Sequence, residues 1–423
     1  MATFRVDLHI HSRFSRATSS KLTIPNLAVW GGIKGIDVLG TGDFTHPAWR
    51  DELRAALELD SASGLYRLKK PLSPADLARE APEVCSLPLK QPLFMLQAEI
   101  SSIYKKGDKV RRVHNLVYMP DFDSADRFCK RLEGIGDLRT DGRPILSLDS
   151  KRLLEMVLEF PGAYLIPAHI WTPWFSVFGS QSGFDSLKEC FDDLTPHIFA
   201  LETGLSSNPD MNRCWSQLDN LRMVSNSDAH SAQNLGREAT VLHGAVSYQG
   251  IFDALQGKNA NYGGTLEFFP EEGKYHLDGH RDCGIVLTPA QCRELNSICP
   301  VCGKPLTVGV LHRILDLADR TTPLKTEHGF FSLIPLAEII CELFSCGVKT
   351  KKVRVKFAEL QNRFGPELDI LLNTPVQELS AFWPELGEGI SRMRRGQVIC
   401  HGGFDGQYGV IRLFEKNELG GGG

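Results

Sequence analysis

Two histidines near the start of the chain are the first residues that could do chemistry. Val6-Asp7-Leu8-His9-Ile10-His11-Ser12 is a short apolar stretch with histidines at i and i+2. Side chains alternate along an extended strand, so His9 and His11 share one face. Two neutral imidazoles at a strand end are half of a site for zinc or another borderline metal. Alone, the pair reads equally well as two structural histidines, so donors elsewhere must decide.

Such donors recur, each just past a short apolar run. Asp43 and His46 follow 36–40, Glu99 follows Leu93-Phe94-Met95-Leu96-Gln97-Ala98, and His169 follows Tyr164-Leu165-Ile166-Pro167-Ala168. Glu202 ends the run 197–202, while Asp228 and His230 follow Met223-Val224-Ser225-Asn226-Ser227. His114 arrives differently. Residues 99–114 read as a β-hairpin turning at Lys106-Gly107, a register that sets Glu99 opposite His114 with Cβ atoms about 5 Å apart. Carboxylates mixed with imidazoles suit two or three closely spaced divalent ions, with Glu99 a natural bridge. Ions so placed lower the pKa of a water and clamp the oxygens of a phosphoryl displacement.

The elements that must position these groups follow from the same runs. Seven strand-like segments fall at about 4–8, 36–41, 93–100, 113–118, 163–167, 197–202 and 222–226. Helix candidates at 26–33, 47–59, 124–132 and 149–160 fill gaps between them. Strand and helix in alternation predict an α/β fold of β/α units closed into a barrel. The donors then sit at the carboxyl ends of successive strands, where barrel enzymes keep their active sites.

The ordered motifs VDLHIHSRFS, TGDFTH, QAEIS with RRVHNLVY, PAHI and NSDAH resemble those of the PHP (polymerase and histidinol phosphatase) superfamily. That resemblance implies a distorted seven-stranded β/α barrel with a trinuclear metal site. Carried over by position, His9, His11, Glu99 and Asp228 would hold one metal, and Glu99, His114 and His169 a second. His230 would hold part of a third. Two departures stand out: Arg16 occupies a position where an acid is usual, and Asp43 is followed by Phe44 rather than histidine, with His46 two places on. HIHSRFSRATSS, GIDVLGTGDFTHPAW and HIWTPWFSVFGS are similar to the endonuclease Q family within that superfamily, and the likeness runs through essentially the whole chain. It implies metal-dependent hydrolysis of DNA on the 5′ side of deaminated bases (uracil, hypoxanthine, xanthine) and of abasic sites. Asp228, Glu99 and Arg16 are then the expected catalytic residues, with zinc, magnesium or manganese in the site.

The residues suit that expectation. Trp171, Trp174, Phe175, Phe178 and Phe184 follow His169 and could stack a base drawn from the duplex, or simply pack a long loop onto the barrel rim. Arg13 and Arg16 stand where a phosphate could be held. A net charge of −4 excludes a uniformly basic surface, so contact with a polyanion must come from local patches.

In the second half, Cys283, Cys292, Cys299 and Cys302 are expected to form a four-thiolate structural zinc site around the CPVCGK knuckle, with His280 or His312 as substitutes for one ligand. Such a site is closed and contributes to folding directly. The other cysteines, Cys85 among them, show no metal spacing. Leu311–Arg320 and Leu336–Phe344 read as helices. Strict alternation from Lys352 to Phe357 predicts a strand with one basic face, bringing Lys352 and Arg354 to DNA together with the hairpin's Lys105, Lys106, Arg111 and Arg112. The expected organisation is a barrel over 1–265, a zinc module over 275–310 and a DNA-gripping domain over 311–423 ending in a disordered glycine tail. No apolar run is long enough to span a bilayer, and nothing marks the chain for export, so a cytoplasmic monomer is expected, with a replication clamp as a candidate partner. A small-molecule phosphomonoesterase and a non-catalytic DNA-binding protein are the competing readings.

Overall fold

A computed structural model describes residues 2–84, 90–415 and 417–419. Cys85 and the Gly420–Gly423 tail lie outside the described residues. The strands in order are β1 (Thr3–Asp7), β2 (Val38–Gly40), β3 (Leu57–Asp60), β4 (Leu65–Leu68), β5 (Leu93–Lys106), β6 (Lys109–Met119), β7 (Ile145–Leu146), β8 (Tyr164–Pro167), β9 (Ala200–Glu202), β10 (Arg222–Val224), β11 (Ala239–His243) and β12 (Tyr262–Glu267).

Seven of these make the barrel expected from the sequence. β1 pairs with β2 and β2 with β5 in parallel; β5 and β6, then β6 and β8, pair antiparallel. Ile170 N–H donates to Glu202 O, joining the end of β8 to β9, and β9 runs parallel to β10. A bridge between Ile10 and Ala229 closes the ring onto β1. The reversed β6 is the distortion: a long hairpin stands where a crossover helix would otherwise return the chain. β11 and β12 extend the sheet antiparallel from β1.

The local reasons are ordinary ones. The helix Ile24–Lys34 begins with Pro25 in its first turn and stops at Gly35, whose φ of +83° is easy only for glycine. The helix Pro47–Ala56 is shorter than expected because Leu57 starts β3, which pairs antiparallel with β4. Barrel strands such as β2 are buried throughout, as strands covered on both faces must be.

Three expectations need correction. The hairpin turns at Gly107-Asp108, not Lys106-Gly107, so Ser101 faces His114 and Glu99 faces Leu116. Glycine at the first central position, with φ +62°, is what a two-residue turn favours. The slip is two residues, which preserves the face and leaves Glu99 diagonal to His114. Second, Lys352–Phe357 lies within the helix Lys351–Phe364. Val353, Phe357, Leu360 and Gln361 are buried there at helical spacing, and six alternating residues could not reveal a period set by fourteen. The third concerns Cys292 and is taken up with the cysteine cluster.

Beyond the barrel come β13 (Asp278–His280), β14 (Ile285–Leu287), β15 (Phe330–Ser332), β16 (Ile399–His401) and β17 (Val410–Arg412). β15 adds to β12 in parallel. Leu336, Ile339, Ile340, Leu360 and Ile390 of the C-terminal helices belong to the same apolar cluster as the barrel's Ile10, Phe44 and Trp49. The cysteine-rich segment buries only Cys292, Cys299 and Leu306 together. Among the described residues no helix is long and apolar enough to cross a membrane.

Candidate metal-dependent active site

Two triads of donors meet at the carboxyl ends of the barrel strands. His9, His11 and Asp228 form one; Glu99, His114 and His169 form the other, and within each the donor atoms lie within 4.8 Å of one another. Glu99 joins them. Its Oε1 is 2.5 Å from His114 Nδ1 and 3.0 Å from His169 Nε2, while its Oε2 is 3.3 Å from His11 Nε2 and 3.6 Å from His9 Nε2. Asp228 Oδ1 reaches His11 Nε2 at 3.0 Å and His230 Nδ1 at 3.6 Å.

The arrangement is held from behind. Glu202 takes His9 Nδ1 at 3.0 Å, accepts the His169 N–H at 2.8 Å and accepts from Asn226 Nδ2 at 2.9 Å. Asp43 orients His11 through Nδ1 at 3.1 Å and accepts from Ser12 N–H, Ser12 Oγ and Ser15 Oγ. Carboxylates behind imidazoles in this way fix the tautomer and the ring plane of a metal ligand. Asp43, His169 and Asp228 all have positive φ (47°, 26° and 46°), and strained backbone of this kind concentrates where function over-determines the geometry. Gly204 packs so tightly on His169 that a Cβ there would collide with it.

The site fits divalent cations on its own chemistry. His9 Nε2 is buried with no hydrogen-bond partner, an expensive omission unless it ligates something. Burial would push His9 and His11 toward neutrality, yet carboxylates hold both well above the ordinary imidazole range: Glu202 and Asp228 foremost at His9, Asp228 and Asp43 at His11. Burial likewise opposes the charge on Glu99, but His114 and Arg143 hold it well below the carboxylate range. Burial wins at His114, which is pushed down to about 4. The space between the donors favours positive charge.

Arg143 was not visible as a site residue in the sequence. It sits in the loop before β7 with Nη1 3.2 Å from Glu99 Oε2 and a side chain one-quarter exposed, the one guanidinium that reaches both the donors and solvent at this mouth among the described residues. Arg16 does not reach: its side chain is 82% exposed, and its nearest acid is Asp141 at 3.8 Å. Arg13 pairs with Glu52 at 2.5 Å on the rim. His46 is a structural residue rather than a ligand. It caps the helix Pro47–Ala56 by accepting from Trp49 N–H, and its Nε2 contacts Arg139 O at 3.2 Å.

The geometry has counterparts among known proteins. Residues 335–397 match the family described as the MJ0043 C-terminal domain. The uncharacterized protein YqxK of Bacillus subtilis is 30% identical over 434 residues, covering 97% of this chain and all of that protein. The uncharacterized protein MJ0043 of Methanocaldococcus jannaschii is 33% identical over 256 residues; the match takes in 57% of this chain but only 31% of that longer protein. The crystal structure of the lesion-specific endonuclease Q from Pyrococcus furiosus superposes with a TM-score of 0.84 at 29% identity, covering 98% of this chain and 96% of that one. The chain belongs to the endonuclease Q family. A second endonuclease Q structure, in complex with a 27-mer duplex carrying an abasic lesion at the active site, matches equally well over 99% of this chain and 98% of that one.

In this endonuclease Q relative the loop after His169 divides in two. Trp171, Phe178 and Phe184 are core residues; Trp171 donates to Asn212 Oδ1 and packs on Phe178 and Trp215. Phe175 packs on the His114 ring at 4.8 Å, and Trp174, 37% exposed, stands edge-on to Tyr275 at 5.4 Å. The hairpin arginines serve this loop: Arg111 lies 4.1 Å over Phe184 and Arg112 5.7 Å over Phe175. Lys352 lies over Phe344 at 3.9 Å and Arg354 pairs with Glu83 at 3.2 Å, so the helix that replaces the expected basic strand uses these two charges within the fold.

The cysteine cluster differs from expectation in one ligand. His280, Cys283, Cys299 and Cys302 bring their donor atoms within 4.8 Å of one another, with His280 Nδ1 3.7 Å from Cys302 Sγ. Cys292 is not among them. It lies on the helix Pro289–Glu294, buried beside Asp278 and His312. The odd spacing of Cys292 was the signal, and β13 brings His280 as the fourth donor instead, three residues before Cys283 in a compact His-x2-Cys…Cys-x2-Cys arrangement.

Proposed function

We propose that this chain is a metal-dependent DNA repair endonuclease, hydrolysing the phosphodiester 5′ of deaminated bases (uracil, hypoxanthine, xanthine) and of abasic sites. One observation carries the reading: Glu99 presents one carboxylate oxygen to each of two histidine-containing triads at the mouth of the barrel. His9, His11, Glu99 and Asp228 would hold one divalent ion, and Glu99, His114 and His169 another, with His230 at the edge of a third; zinc, magnesium and manganese all suit mixed nitrogen and oxygen donors. Ions bound there would supply Lewis acidity, lowering the pKa of a water and offsetting charge on the phosphoryl oxygens. Arg143 is placed to take a non-bridging phosphate oxygen, the role first expected of Arg16. Trp174 and Phe175 would border the displaced base or fill the gap it leaves. His280, Cys283, Cys299 and Cys302 would hold one structural zinc, a closed thiolate-rich set of the usual kind.

The test is incubation of the metal-loaded protein with labelled duplexes carrying one uracil, hypoxanthine or abasic site, beside an undamaged duplex and a phosphomonoester. Cleavage confined to the damaged strand, 5′ of the lesion, is expected. Turnover of the phosphomonoester alone would favour a small-molecule phosphatase, and binding without cleavage would favour a non-catalytic DNA-binding role.

A further inference from the structure

We infer that Asp278, Cys292 and His312 form a second structural metal site, distinct from the His280 cluster and taking zinc or a similar borderline divalent ion. The three residues come from separate elements: β13, the helix Pro289–Glu294 and the helix Val310–Leu317. Their donor atoms converge within 4.8 Å, and the residues are 0%, 0% and 5% exposed. One oxygen, one sulfur and one nitrogen donor make a set that zinc accepts readily. Carboxylate and thiolate together carry two negative charges, which one divalent ion neutralises, so the filled site is a neutral object inside a buried pocket. Without an ion, Asp278 rests on Gly309 N–H and His312 beside a thiol, and the apolar cluster around Cys292 numbers only three buried residues. A core that small rarely holds a fold without a staple.

The surroundings support the ligands from outside, as metal sites require. Gly309 N–H donates to Asp278 Oδ1 at 2.6 Å from outside the set, while within it Asp278 Oδ2 meets His312 Nδ1 at 2.6 Å. Ser297 Oγ stands 3.5 Å from Cys292 Sγ. Asp278 and His280 alternate on β13, so one face of one strand serves both clusters, with their Cα atoms about 6–7 Å apart.

The site has a mechanical consequence. Arg313, next to His312, donates to Phe178 O at 2.9 Å and to Phe184 O at 3.0 Å, and pairs with Asp185. An ion at His312 therefore pins the helix that braces the loop carrying Trp174 and Phe175. The metal assignment does not depend on the nuclease reading; only this bracing role does.

Anomalous diffraction at the zinc edge from crystals of the zinc-loaded wild-type chain tests the assignment. A peak about 2.0–2.3 Å from Asp278, Cys292 and His312 donor atoms is expected, in addition to one at the His280 cluster. Metal content by mass spectrometry should fall by one equivalent in Cys292→Ser and in His312→Gln, leaving the His280 cluster filled. Should either variant fail to fold, the wild-type map still decides. No peak among the three residues, or unchanged metal content in folded variants, would overturn the proposal.

Discussion

The barrel mouth and the cysteine-rich segment solve the problem of gathering donors in opposite ways. At the mouth, ligands come from strand ends spread between His9 and His230, and oxygen and nitrogen donors predominate. Their positions are fixed by carboxylates behind them and by a buried barrel beneath, and Phe175 and the partly exposed Arg143 border them. In the cysteine-rich segment the ligands lie between His280 and Cys302, sulfur predominates, and almost no apolar core accompanies them. An open site of hard and borderline donors on a rigid frame suits chemistry, whereas a closed soft site inside a small core suits structure.

Substitutions should separate the regions, and the largest loss is expected at Asp228. Asp228→Asn should reduce lesion cleavage by roughly 10³-fold or more while leaving the thermal midpoint near that of wild type, read by strand cleavage and by calorimetry. Arg143→Ala should cost on the order of 10²–10³-fold, in kcat more than in KM; Arg16→Ala should cost far less, and equal losses would return the phosphate role to Arg16. Glu202→Gln, acting only through His9 and His169, should weaken active-site metal binding about 10–100-fold in a competition titration with a chelator. Cys299→Ser should show the converse pattern, with a lower thermal midpoint and exposure of the 275–310 segment to protease, and little change in cleavage per folded molecule.

The smallest effect is a pH dependence from a carboxyl that none of the proposed metal sites uses. Glu267 is buried and its carboxyl is pushed up to about 7, despite hydrogen bonds from Thr265, Thr203 and Ser225. The unfolded chain loses this proton near pH 4.5 and the folded chain near 7, so between those values the unfolded state binds fewer protons and stability falls as pH rises. Glu267→Gln should remove that slope: its stability relative to wild type, from urea unfolding, should rise from pH 4.5 to 7 and then level off.

The convergence of the candidate donors was legible in the sequence because a barrel gathers the residues at its strand ends. His9, His11, Glu99, His114, His169, Asp228 and His230 all converge where the order of strands placed them. What failed had physical reasons. The TGDFTH segment offers His46 in sequence, but helix capping claims it. Arg16 neighbours the metal histidines along the chain and points to solvent, whereas Arg143 lies far along the chain in an aperiodic Asp-Gly-Arg-Pro loop and points inward. Lys352 and Arg354 alternate with valines as a strand would, and only the longer burial pattern shows the helix. Cys292 has the right chemistry for the thiolate site and the wrong place; His280 has the place because β13 delivers it.

If the bridged triads at the barrel mouth cut DNA beside a lesion, cleavage must depend on the ions they would hold. The most direct test strips the protein of metal, then titrates divalent ions back against a labelled duplex with one abasic site, for wild type and Asp228→Asn in parallel. The stripped protein should not cleave, activity should return at about two equivalents or more beyond the cysteine-region ions, and Asp228→Asn should not cleave at any metal concentration. Cleavage by the stripped protein, or equal cleavage by Asp228→Asn, would contradict this.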